Sequence, residues 1–199
     1  MDSTLLIAGG TVISASGMST DTGVLVRGSR IVETGPTHEM LTRNPDSIIR
    51  SHGAFVALGF IDIHIHGAAG SDTMDATPSA LARMAEFVSS HGVTGFLPTV
   101  MSSPIERMLA ATRAAAQAAR ARKGAQVLGI NVEGPFLNPS FKGAQPEEGI
   151  TGPDMAILHR ILEAGGGNVR VMTIAPEMPG AMDIVKKLAS QGVLTSVGH

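Results

Sequence analysis

Two histidines stand two residues apart in the apolar run Phe60-Ile61-Asp62-Ile63-His64-Ile65-His66-Gly67. In a strand, residues i and i+2 face the same side, so His64 and His66 project together if this run is extended. Paired neutral imidazoles suit zinc and neighbouring divalent metals. Further along, Glu133 ends a third apolar strand-like run at 126–132, and His199 follows a fifth at 193–197. Functional groups in parallel α/β sheets and barrels gather at the carboxyl ends of the strands. His64, His66, Glu133 and His199 are therefore the candidate ligands of one or two divalent metal ions, and the chemistry they suit is metal-assisted hydrolysis. The other histidines are read as structural. His38 and His52 sit near turns, His91 ends a helix where a cation complements the dipole, and His159 lies among Ile157, Leu158 and Ile161. Gly67-Ala68-Ala69-Gly70 has neither of the glycine spacings that cradle phosphates.

The elements that must position these residues are legible in outline. The chain has 199 residues, 43% of them hydrophobic and 16% charged, which is ample material for a packed core. A net charge of −2 gives no electrostatic footprint for nucleic acid or an anionic membrane. Cysteine is absent, so a metal must be held by His, Asp, Glu or a modified lysine; this also fits a cytoplasmic setting. No apolar stretch approaches the ~18 residues of a membrane span, and the first residues lack the features of a signal peptide.

Residues 4–58 read as short strands separated by turns, a small β unit with open edges. From residue 60 the texture becomes strand, loop, helix, repeated. Strands are expected at 60–66, 94–100, 126–132, 169–175 and 193–197. Thr77-Pro78 opens one helix as N-cap and N1. Ser103-Pro104-Ile105-Glu106 reads as a capping box starting a helix that runs to Lys123, Asp154 precedes a third helix, and 180–191 forms a fourth. Alternation of this kind argues for a parallel sheet with right-handed crossovers. A doubly wound sheet and a (β/α)8 barrel both satisfy it, although a barrel usually needs about 250 residues.

Longer motifs carry a resemblance. Gly59-Phe60-Ile61-Asp62-Ile63-His64-Ile65-His66-Gly67 resembles the strand-one signature of the amidohydrolase superfamily. Leu97-Pro98-Thr99, Val132-Glu133-Gly134-Pro135-Phe136-Leu137-Asn138, Lys142-Gly143-Ala144, Ala175-Pro176-Glu177 and Ser196-Val197-Gly198-His199 are together similar to the N-acetylglucosamine-6-phosphate deacetylase family. The resemblance implies an α/β fold: a partial (β/α)8 TIM-type barrel over 59–199, with 1–58 as the N-terminal part of a β-sandwich. It implies zinc or a similar divalent metal, one or two ions, with Glu133 and His199 on the main ion and His64 and His66 on a second. Ala144 and Gln145 would line the sugar site. The expected substrate is an amino-sugar phosphate and the expected full-length form a cytoplasmic homodimer. Leu58 stands where the family usually has Pro, and Gln145 where it often has His. A further ligand histidine, the catalytic aspartate and the main phosphate-binding residues would fall beyond His199. No catalytic residue is therefore assigned within the chain, and these residues alone are expected to lack full activity. Two other readings stand beside this one. A dihydroorotase or cyclic-imide hydrolase usually places a carboxylated lysine near strand four, and 169–175 contains no lysine. The remaining reading is an inactive remnant that only associates with another chain.

Overall fold

The computed structural model describes residues 2–121 and 123–199. It divides into two compact units, Met1–Leu58 and Gly59–His199.

The first unit contains β1 (Thr4–Ser14), β2 (Gly17–Arg27), β3 (Arg30–Pro36), α1 (Thr37–Leu41), β4 (Ser47–Arg50) and β5 (Phe55–Ala57). β1 pairs antiparallel with β2, and β2 with β3; β4 and β5 run parallel to β1. The sequence suggests two strands around Gly9-Gly10, but the structure has one strand with its register shifted there. Gly10 permits a close approach: a Cβ would lie 2.7 Å from both Ser51 Oγ and a Val56 methyl. The short helix α1, not foreseen, delivers Met40 to a core with Leu6, Ala8 and Leu25.

The second unit contains β6 (Phe60–Ile65), β7 (Gly67–Ala68), β8 (Ser71–Asp72), α2 (Pro78–Ser89), β9 (Val93–Val100), α3 (Ile105–Ala118), β10 (Gln126–Val127), β11 (Ile130–Glu133), α4 (Met155–Gly165), β12 (Val169–Ile174), α5 (Ala181–Ser190) and β13 (Leu194–Val197). β6 pairs with β9, β9 with β10 and β11, β11 with β12, and β12 with β13, all parallel. The sheet is a partial TIM-type barrel. The expected third strand is interrupted at Leu128-Gly129, leaving β10 and β11 in register with successive stretches of β9. β7 and β8 form a small hairpin over residues 67–72, turning at Ala69-Gly70. The buried faces of α3, α4 and α5 close over the sheet through Met108, Leu158, Ile161, Ile184 and Leu188, against Ile130, Val132 and Met172. Each such side chain contributes ~1.5–3 kcal/mol by leaving water.

The helix starts hold one correction. Thr77 Oγ1 accepts from Ala80 N–H and Asp154 Oδ1 from Ala156 and Ile157 N–H, as capping residues do. Ser103 caps nothing. Pro104 occupies the N-cap of α3 with no side-chain cap bond. Ser103 is instead buried, and Glu106 pairs with Arg160 of α4. The same helix ends at Ala118, short of Lys123. Among the described residues, no helix is long and apolar enough to cross a membrane.

Candidate metal centre

The carboxyl end of β6 leaves the regular ladder, its register with β9 shifting between Asp62 and Ile65. Side chains satisfy the freed backbone groups. Thr99 Oγ1 accepts from Ile65 N–H at 3.0 Å, and Asn131 Nδ2 donates to Ile63 O at 3.0 Å. Asp62 Oδ1 accepts from His64 N–H at 3.0 Å. These three residues hold the segment that presents His64 and His66. Asp62 and Thr99 fall within the motifs that carry the family resemblance, whereas no sequence pattern marks Asn131.

Glu133 ends β11 and is 5% exposed. Its two oxygens face different partners. Oε1 lies 2.9 Å from His199 Nε2. Oε2 lies 2.9 Å from His66 Nε2 and 3.5 Å from His64 Nε2. The two imidazole Nε2 atoms stand 3.3 Å apart. All four sequence candidates therefore meet at one carboxylate, at the carboxyl ends of β6, β11 and β13.

The polar atoms of these groups suit a cation. Glu133 Oε2 is close to His66 but off the direction of a ring N–H, and it is buried without a hydrogen-bond partner. Buried carboxylate oxygens are costly in that state. The Nε2, Nε2 and Oε2 atoms of His64, His66 and Glu133 form a triangle with edges of 3.3, 2.9 and 3.5 Å. Nitrogen and oxygen ligands about 2.0–2.2 Å from a zinc-sized ion stand roughly 3.3–3.6 Å apart when tetrahedral. His199 adds a second sign. Lys142 O, 3.0 Å from Nδ1, can only accept, so that nitrogen carries the proton. In the neutral ring the Nε2 lone pair then faces the Glu133 oxygen, and two acceptors at 2.9 Å need a positive charge between them. Metal-binding histidines commonly donate their other N–H to a backbone carbonyl in this way. The residues fit a divalent metal.

The electrostatics agree. Burial pushes the Glu133 carboxyl up, but contact with His66, the charges of His64 and His66 and contact with His199 outweigh it and hold the pKa at about 2. The Glu133 carboxylate raises His66 above its ordinary 6.5, against the opposing effect of burial.

The two residues expected at the sugar site lie in the loop after β11. Ala144 is exposed. Gln145 is 4% exposed, and its Oε1 accepts from Ser102 N–H at 3.0 Å.

The amidohydrolase family pattern matches residues 55–196. The chain is 34% identical to N-acetylglucosamine-6-phosphate deacetylase of Lysinibacillus sphaericus over 196 residues, 98% of this chain and 50% of that protein. It is 35% identical to N-acetylgalactosamine-6-phosphate deacetylase of Escherichia coli O157:H7 over 156 residues, 78% of this chain and 41% of that protein. A solved structure of N-acetyl-D-glucosamine-6-phosphate deacetylase from Mycobacterium smegmatis, a mutant in complex with N-acetyl-D-glucosamine-6-phosphate, superposes with a TM-score of 0.89 at 30% identity, covering 99% of this chain and 50% of that one. The chain spans about half the length of the curated relatives it matches.

Proposed function

The chain belongs to the amidohydrolase family, and from that premise we propose that it carries the metal centre of a deacetylase acting on N-acetylglucosamine 6-phosphate, releasing acetate and glucosamine 6-phosphate. The observation that supports this most directly is the single buried carboxylate, Glu133, facing His199 through one oxygen and His64 and His66 through the other. Zinc is the proposed ion, because imidazole and carboxylate ligands suit it. A cytoplasmic homodimer is the proposed setting of the full-length enzyme.

A bound divalent ion supplies Lewis acidity, lowering the pKa of water toward 7 and polarising an amide carbonyl. The chain's residues prepare that chemistry. Glu133, with its pKa held at about 2, remains an anion at any physiological pH and offers both oxygens. Lys142 O fixes the tautomer of His199, so that Nε2 faces the carboxylate. Thr99 and Asn131 keep β6 in the position that presents His64 and His66.

The test uses the complete reading frame that contains these residues. Acetate release from N-acetylglucosamine 6-phosphate should disappear on chelation and return with zinc. Glu133→Gln should lower kcat/KM by at least ~100-fold, the upper range seen even for residues behind the ligands. The galactosamine isomer is assayed alongside, since one relative is named for it. Turnover of a cyclic imide or dihydroorotate, with none of either acetamide, would refute the deacetylase reading.

A further inference from the structure

We propose that Gln145 is a positioning residue, which sets the metal-facing nitrogen of His199 and the seat of Glu133 by tying the loop after β11 to Ser102. The proposal rests on the reading of Glu133 and His199 as metal ligands.

The connections run through two residues. Gln145 Oε1 accepts from Ser102 N–H at 3.0 Å, and Ser102 Oγ donates to the backbone oxygen of Glu133 at 2.9 Å; both bonds are buried. Ser102 therefore joins the Gln145 side chain to the strand end that carries the buried carboxylate. On the other side, Gln145 N–H donates to Lys142 O at 3.1 Å. That same carbonyl takes the His199 Nδ1 proton at 3.0 Å. Lys142 Nζ closes the turn by donating to Gln145 O at 3.3 Å. The turn that fixes the His199 tautomer is thus anchored, through one buried amide oxygen, to the serine that braces Glu133.

The surrounding backbone leaves little room for other arrangements. A Cβ at Gly134 would stand 2.1 Å from Ser102 Oγ, and one at Gly149 2.3 Å from Ser103 N. Both ends of the loop therefore close onto Ser102-Ser103 through glycines. Gln145 is the side chain that completes this contact from within the loop. A buried amide whose acceptor is lost leaves Ser102 N–H unsatisfied, and relaxing that bond moves Lys142 O away from His199.

The experiment is cobalt(II) titration of the protein expressed from the complete reading frame that contains these residues, following the visible d–d absorption and the calorimetric affinity, with thermal unfolding recorded for every variant. Gln145→Met has similar length and replaces the amide oxygen by a thioether sulfur, a weak acceptor. It should melt cooperatively, bind cobalt ~10–100-fold more weakly and show an altered band, as expected when a partner behind the ligands is lost. Gln145→Glu keeps an acceptor oxygen and should recover affinity and band together. A residue with only a structural role would lower the melting temperature in Gln145→Met and leave the cobalt band unchanged. If Gln145→Met does not fold, Gln145→Asn, one methylene too short to reach Ser102 N–H, carries the comparison with the same expectation. Wild-type affinity and spectrum in the folded variant would overturn the proposal while leaving the metal reading intact. Absence of cobalt binding by the wild-type chain would overturn both.

Discussion

Glu133 concentrates the chemistry because its two oxygens serve different histidines, and its charge is what the three imidazoles share. Glu133→Gln is nearly isosteric, so the fold should persist while metal affinity falls by at least ~100-fold, a result calorimetry would read directly. The metal-free chain should also carry a characteristic pH signature. Glu133 has a folded pKa of about 2 against an ordinary 4.5, so its stabilisation is complete above 4.5 and lost as pH falls toward 2. His66 is raised above 6.5, so its contribution is complete below 6.5 and lost as pH rises through the raised value. Both contributions are whole only between 4.5 and 6.5. The melting temperature of the metal-free chain should therefore be highest in that window, and Glu133→Gln should flatten the profile. Metal and proton compete for the His66 ring, so metal affinity should rise from pH 6 to pH 8. An affinity independent of pH across that range would show that His66 is not a ligand.

At the scale of elements, the helix starts separate residues that cap from residues that only resemble caps. Asp154 accepts from two backbone N–H groups of α4 at 2.7 and 3.2 Å. Asp154→Ala should cost about 1 kcal/mol in denaturant unfolding. Ser103→Ala should cost clearly less, because Ser103 makes no cap bond to α3; equal losses would contradict the assignment. This contrast shows what was legible in the sequence. The alternation of strands and helices, the caps at Thr77 and Asp154, and the convergence of His64, His66, Glu133 and His199 follow from local patterns, because periodicity and turn chemistry act over a few residues. Ser103-Pro104 met the same local rule, yet the segment was taken by a tertiary contact with the loop ending at Gly149. The break of the third strand at Leu128-Gly129, and the braces from Thr99 and Asn131 to β6, have the same origin. The two braces depend on partners 34 and 68 residues away, which no local pattern reports.

At the scale of the whole unit, the sheet of residues 59–199 has two outer strands, each with a single partner among the described residues: β6 on β9 and β13 on β12. Both carry apolar side chains to solvent. Phe60 is 70% exposed, Ile61 61% and Ile63 62% on β6, and Leu194 is 70% and Val197 73% exposed on β13. Strand edges with unpaired backbone groups and apolar side chains are templates for pairing with another chain. A polypeptide consisting of these residues should therefore associate in solution, bind an apolar dye, and show a concentration-dependent melting temperature. Light scattering across a dilution series measures this. Placing lysine on the two edges, in Ile61→Lys and Leu194→Lys, should reduce the association, since an edge charge must be desolvated for a neighbour to pair. Neither position is a proposed ligand, so cobalt uptake should be retained in the double variant if the centre is assembled within one chain. Loss of uptake in step with loss of association would instead place part of the ligand set across two chains. A monomer at all concentrations, with a cooperative transition and no dye binding, would show that the exposed rows on β6 and β13 are tolerated without a partner.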